Sequence, residues 1–221
     1  FYGITWGLPN ASGDWAIDAV GPLGPLAYAK WVLHGEQWWS KYPPFHFSLL
    51  ALVYAPYIAF LRLTGGLATP TDAYPYGLSD PQGSLTVLAL LARLVSAAMG
   101  LGMLRCLYLV GKELHGRQAG LWAALIMTLS PVTIYYAQNS NLDVPYLFWF
   151  SLALLMFVRL CRTFRLRYYV FLGMAGALAM ATKDQAYGLF LLLPLPLLRA
   201  HLACRRRVAP DQGWVRALWH P

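Results

Sequence analysis

Apolar residues run along this chain in long blocks separated by short polar junctions. A helix that crosses a bilayer needs about 20 mostly apolar residues. Five stretches qualify, at roughly 85–110, 119–137, 144–160, 168–182 and 186–203. They are rich in Leu and Ala and do not alternate, so they predict helices rather than barrel strands. A sixth stretch, "PFHFSLLALVYAPYIAFL" (44–61), is shorter and carries Pro56. The junctions "GKELHGRQ", "NSNLD", "RLCRTFRLR", "TKDQ" and "RAHLACRRR" are polar, and most are basic.

Composition supports this reading. The 221 residues are 58% hydrophobic and 12% charged, against about 25% charged for soluble domains. Mean hydropathy is +0.48. Nine Trp and fourteen Tyr suit two interfacial belts. The net charge of +8 lies in short clusters between apolar runs, with no soluble module left to bind nucleic acid, so that partner class is excluded. Cys106, Cys161 and Cys204 form neither a CxxC pair nor an even set, which indicates neither a disulfide framework nor a zinc site. The ends read as cut through continuing sequence, and we expect a piece of a longer protein.

Lys and Arg set the expected orientation. If the five long runs alternate, Lys112, Arg117, Arg159, Arg162, Arg165, Arg167, Arg199 and Arg205 to Arg207 share one side, and Lys30, Lys41, Arg62 and Lys183 the other. The first side is therefore cytoplasmic. Asp14, Asp18, Glu36, Asp72, Asp80, Asp143 and Asp184 then gather outside, leaving Glu113 and Asp211 inside. Both ends of 44–61 fall outside too, which predicts a segment that lies along the outer interface or dips in and returns. An ordinary spanning helix there would reverse the tally.

The outer cluster carries the candidate chemistry. Asp18, in "GDWAIDAVGPLGP", sits at a membrane edge beside Trp15, where partial desolvation would make it a better proton acceptor. Asp14 competes with it, and both could simply cap a turn. Lys41 precedes two prolines in "SKYPPFH" and would be held near lipid phosphates, or merely snorkel. Asp143, in "NSNLDVPY", could cap a helix whose Pro145 lies just inside. Lys183 and Asp184 interrupt a long apolar stretch at an outer turn. Arg93 lies well inside an apolar run, and an intramembrane arginine is a functional candidate by default. His34, Glu36, His46 and Asp18 are a candidate set for a divalent cation, but their spacing matches no compact ligand motif. No cofactor is therefore fixed, and whether a metal is needed stays open. There is no GxSxG, no Gly-rich phosphate loop and no HExxH. Nucleotide donors belong to the cytoplasm, so an outward site would draw on a lipid-linked donor.

These blocks resemble a known family. "WAIDA", "KYPPFHFSLLAL", "LARLVSAAMGLGMLRCLYLVGKELHGRQAGLWAALIMTLSP", "YYAQNSNLDVPYLFW" and "GMAGALAMATKDQAYGLFLLLPL" are similar, in order and spacing, to motifs of membrane-embedded glycosyltransferases of the GT-C fold. The likeness is to the dolichyl-phosphate-mannose–protein mannosyltransferases (family 39) and the aminoarabinose transferases. It covers about Trp15 to Leu198. It implies an all-α polytopic helix bundle, with an outer loop containing interfacial helices (1–83) and about five transmembrane helices (84–207). It also implies transfer of a sugar from a polyprenyl-phosphate donor to a protein, lipid or glycan acceptor. The site would face outside, in a multi-pass protein of a bacterial plasma membrane. By motif position, Asp18 matches the base and Lys41 the residue that meets the donor phosphate. Asp143 and Lys183 match two further motif residues, and Arg93 and Lys183 are candidate phosphate helpers. Glu36, His46 and Asp14 stay as further site candidates. Ala19 stands where the family has a second acid, which weakens the case for a metal. The alternatives are a transporter or flippase for a lipid-linked saccharide and an inactive membrane subunit.

Overall fold

A computed structural model describes residues 4–5, 7–8, 19–35, 40–191 and 193–208. Among these residues the only regular elements are helices, apart from one isolated β-bridge between Leu67 and Leu78. The helices are α1 (Leu23–His34), α2 (Phe45–Leu63), α3 (Pro81–His115), α4 (Arg117–Leu129), α5 (Pro131–Gln138), α6 (Asp143–Thr163), α7 (Leu166–Thr182), α8 (Tyr187–Phe190) and α9 (Pro194–Val208). The chain is an all-helical polytopic membrane bundle.

Local chemistry sets the boundaries. Asp80 accepts a hydrogen bond from the Gly83 amide at 2.9 Å and caps α3, with Pro81 at the first helical position. Such a residue satisfies an amide that the helix leaves free. Pro131 lacks an amide hydrogen and stops α4, so the apolar run at 119–137 becomes two helices bent by 66°. Phe164 takes a left-handed backbone conformation (φ 48°) and turns α6 into α7 within two residues. The run at 186–203, expected as one spanning segment, is divided into α8 and α9 ahead of Pro194. α2, α3 and α6 are long and apolar enough to cross a membrane, the α4–α5 pair makes a fourth, and α7 is apolar but shorter.

α3 has 35 residues and is therefore about 52 Å long, well beyond the ~30 Å of a hydrocarbon core. Its two halves have different partners. Toward its C-terminus it runs alongside α6. A Cβ placed on Gly100 would meet Val144, the Phe148 ring lies against Gly102, and Glu113 pairs with Arg159 at 2.8 Å. This half also carries a close helix contact. A Cβ on Gly111 would sit 2.8 Å from the Gly120 Cα, so the two glycines let α3 and α4 touch backbone to backbone. Cys106 and Val110 pack here with Ala153, Leu155, Met156, Val158, Leu160, Leu172 and Ala175.

Toward its N-terminus α3 packs against α2 instead. Leu50 and Tyr54 of α2 form a second core with Leu85, Leu88 and Ala92. α2 starts beside α6, where the Phe45 and Trp149 ring centres are 5.9 Å apart. It then follows α3 in the opposite sense toward the loop at 64–80. α2 is one unbroken helix of 19 residues around Pro56, so of the two arrangements expected, lying along the outer interface or dipping in and returning, the second is not what forms. The reason is that α2 packs lengthwise on α3. Lys30 and Asp72, 2.7 Å apart, tie α1 to the 64–80 loop.

Candidate functional site

A cavity of about 560 Å³ opens where α6 begins and α7 ends. Four chain segments build it. Ala19 to Gly21 and the start of α1 form one wall. Tyr42 and Phe47, at the entry to α2, form another. Tyr136 of α5, and Asn141 with Asp143, close the back. Lys183 comes from the end of α7.

The Val20 amide joins the first segment to the loop before α6 by donating to the Ser140 carbonyl at 3.3 Å. The Ser140 hydroxyl donates to the Asn139 carbonyl at 2.6 Å and lies 3.4 Å from the Val20 carbonyl. Ser140 holds a left-handed conformation, φ 53°. The next turn settles the role of Asp143. Its amide donates to the Asn141 Oδ1 at 2.6 Å, so the Asn141 side chain satisfies the first free amide of the helix. The Asp143 carboxylate is left to accept from the Lys183 ammonium at 2.6 Å. The expectation that Asp143 caps its own helix gives way to an ion pair forty residues apart in sequence.

Lys183 leaves the α7 helix in an extended conformation, φ −149° and ψ 118°. Its ammonium lies 5.6 Å from the Tyr42 ring centre and 5.5 Å from that of Tyr146, a distance at which a ring face attracts a cation. Burial by itself pulls the lysine pKa down. The hydrogen bond and the charge of Asp143 outweigh it, and the pKa ends above the ordinary lysine value. Lys41 is exposed, and its ammonium is also 5.6 Å from the Tyr42 ring centre. The two ammonium groups are therefore no further apart than twice that distance.

The other sequence candidates are placed differently. Arg93 is 1% exposed, and its guanidinium donates to the carbonyls of Ile4 and Gly7. It is not among the cavity-lining residues. His46 is fully buried in the first turn of α2, and neither ring nitrogen has a hydrogen-bond partner among the described residues. Asp14, Asp18 and Glu36 lie outside the described residues. His34 is exposed at the end of α1. Among the described residues no three His, Cys, Asp or Glu side chains cluster as metal ligands.

Sequence reasoning passed over Tyr42, Tyr136, Tyr146 and Asn141. They stand in "SKYPP", "YYAQNSN" and "DVPY", the same short motifs that hold or adjoin the charged candidates. A tyrosine beside a charged residue in a membrane-edge motif was the available signal.

A family model described as dolichyl-phosphate-mannose-protein mannosyltransferase matches residues 86–215, more than half of the chain. The chain belongs to this mannosyltransferase family. No curated protein and no solved structure matches it. The family is one of membrane glycosyltransferases that draw on polyprenyl-phosphate sugars. The matched region takes in Arg93, Asp143 and Lys183 and leaves out Asp18 and Lys41. Of the cavity, the mannosyltransferase match thus covers the α5–α6 and α7 walls, while the α1 and α2 walls come from sequence that precedes it.

Proposed function

We propose that the cavity at the head of α6 is where a polyprenyl-phosphate sugar is positioned and its sugar transferred to an acceptor hydroxyl, with inversion at the anomeric carbon. Asp18 accepts the hydroxyl proton as the oxygen attacks. The bond from the anomeric carbon to the donor phosphate oxygen breaks on the opposite side, and polyprenyl phosphate leaves. No acid is needed to protonate so good a leaving group, so one carboxylate suffices, unlike the paired carboxylates of glycoside hydrolases.

The observation that carries this reading is that one cavity gathers Tyr42, Asp143, Lys183 and the residues directly after Asp18 from four distant segments. Asp18 is two residues from Val20, and two residues of chain span at most about 7 Å. Connectivity thus keeps it near Val20, which is bonded to the loop before Asp143. Lys41 is the cation we assign to the donor phosphate. It is exposed, whereas Lys183 already has Asp143 as a partner. We give Arg93 a positioning role, holding the chain around Ile4 to Gly7 ahead of Asp18.

The depth of the cavity supports a site within reach of lipid. From Glu113 to Arg93 along α3 is twenty residues, or about 30 Å, the thickness of a hydrocarbon core. Gly100, level with the start of α6, lies about 20 Å from the Glu113 end. The cavity is then about two-thirds of the way across, and α2 packs on the part of α3 around and beyond the far boundary. This supports a site that opens away from the basic end, which we read as cytoplasmic in a bacterial plasma membrane.

The test is transfer from radiolabelled polyprenyl-phosphate sugar in proteoliposomes. Asp18→Asn should abolish transfer while donor binding, measured separately, persists. Near-normal turnover in that variant removes Asp18 as the base.

A further inference from the structure

A second cavity, about 470 Å³, lies between α6 and α7, its near end at Trp149 and Leu178 about two helical turns from Asp143 and Lys183 of the first. Its walls are the apolar faces of the two helices, with Trp149 and Leu178 at one end and Arg159 and Arg167 at the other. Ten residues separate Trp149 from Arg159 and eleven separate Arg167 from Leu178, so the groove is about 15 Å long. That is half of a ~30 Å hydrocarbon core, the depth of a single leaflet. Phe171 and Met174, in its wall, are about half exposed.

The polar end is strongly positive. Around the tight turn at Phe164, six residues of chain hold Arg162, Arg165 and Arg167, all exposed. Arg159 joins them from the last turns of α6. Among the described residues the acid that meets this cluster is Glu113. It is already taken up by Arg159 at 2.8 Å, and its carbonyl accepts from Arg162. Arg167 stacks on the Tyr168 ring at 4.8 Å and donates to its hydroxyl at 3.0 Å. The guanidinium is thus held at the mouth of the groove, where the hydrocarbon gives way to headgroups.

We infer that this groove binds an anionic phospholipid of the adjoining leaflet, with one acyl chain between α6 and α7 and the phosphate against Arg165 and Arg167. Three features argue for this occupant. The groove has the length of one leaflet, it is apolar along that length, and the charges that line it are cationic and sit at headgroup depth, as in basic pockets that hold anionic lipids. The donor of the proposed reaction is served by the other cavity, which lies about 20 Å along α3 from the Glu113 level. The lipid would fasten the α6–α7 hairpin, which carries both Asp143 and Lys183 at its opposite end.

The chain, purified in neutral detergent, is titrated with phosphatidylglycerol or with phosphatidylcholine of the same acyl chains, and bound lipid is counted by native mass spectrometry. Phosphatidylglycerol should bind more tightly. Arg165→Gln with Arg167→Gln should weaken it about thirtyfold, since each basic residue near an anionic surface is worth roughly a factor of five. That variant should weaken phosphatidylcholine, whose headgroup is neutral overall, far less. Met174→Trp, at a half-exposed position on the groove wall, should weaken both lipids. Thermal unfolding of each variant in lipid-free detergent confirms that it is folded. Equal binding of the two lipids overturns the inference, as does a charge variant that binds phosphatidylglycerol normally. So does displacement of phosphatidylglycerol by polyprenyl phosphate, which would give the groove to the donor tail, or by a second copy of the chain.

Discussion

The ion pair between Lys183 and Asp143 makes a quantitative test of the cavity. The two groups are 2.6 Å apart, with side chains 11% and 26% exposed. Removing one partner of a fully buried pair costs about 3–5 kcal/mol. Here the carboxylate reaches the cavity and keeps some hydration, so Lys183→Met should cost less, about 2–3 kcal/mol. Asp143→Asn keeps an oxygen for the ammonium to donate to and loses only the charge assistance, about 1–2 kcal/mol. The double variant leaves neither charge stranded and should cost about 2 kcal/mol, not the roughly 4 of the sum. Reversible unfolding in mixed micelles measures all four proteins. Additivity within about 0.5 kcal/mol would show that the pair does not couple and would refute the reasoning. The pH dependence checks the sign. The lysine pKa is raised in the folded state. Its contribution is therefore fully present below the unfolded value of about 10.4 and is lost as pH climbs through the folded value. Wild type and double variant should differ by a constant amount from neutral to mildly alkaline pH and converge only at strongly alkaline pH.

Other perturbations have equally definite outcomes. Gly120→Ala would drive a Cβ into the Tyr108 carbonyl oxygen, forcing α3 and α4 apart. It should cost about 2 kcal/mol or more, read as a lowered unfolding midpoint. An unchanged midpoint would mean the helices are not in backbone contact. Asp80→Ala removes the α3 cap and should cost about 1 kcal/mol, while Asp80→Asn, which keeps an acceptor, should restore most of it. Arg93→Met frees the Ile4 and Gly7 carbonyls. It should speed limited proteolysis near the N-terminus, and equal rates would contradict the anchoring role. Lys41→Gln should raise the donor KM more than it lowers kcat. A pure kcat loss would move Lys41 from donor binding to the transition state.

The run at 85–110 was legible as a helix because it obeys one local rule, a long apolar stretch between polar ends. Pro131 was visible too, but its consequence, a 66° bend rather than a straight span, depends on what α5 packs against. The start of α2 was legible from Pro43 and Pro44. Its direction was not, because that follows from Leu50 and Tyr54 meeting the first half of α3, a contact between segments about forty residues apart. The site followed the same division. Asp143 and Lys183 stood out as charges in apolar surroundings. That they neutralise each other, and that Asn141 satisfies the helix amide in place of Asp143, is a matter of helix register between α6 and α7 that spacing in one dimension cannot carry. Arg93 shows the opposite error. An arginine in an apolar run invites a ligand, yet its guanidinium is directed at backbone carbonyls that had no pattern to announce them.

The length of α3 explains why charges can sit at the cavity at all. Measured from Glu113, a helix only as long as a hydrocarbon core would have ended near Arg93, and α2 would have had almost nothing to pack on. Because α3 extends nearly twenty residues on the N-terminal side of its contact with Val144, α2 can stack on it through Leu85, Leu88 and Ala92. That brings Tyr42 and Phe47 down onto the head of α6. The Asp143–Lys183 pair is then roofed by protein instead of lipid, with two aromatic rings against the ammonium. Exposed to hydrocarbon, the same pair would bear the desolvation cost without compensation. The long helix thus belongs to the site as much as to the fold, because it supports the wall that covers the ion pair.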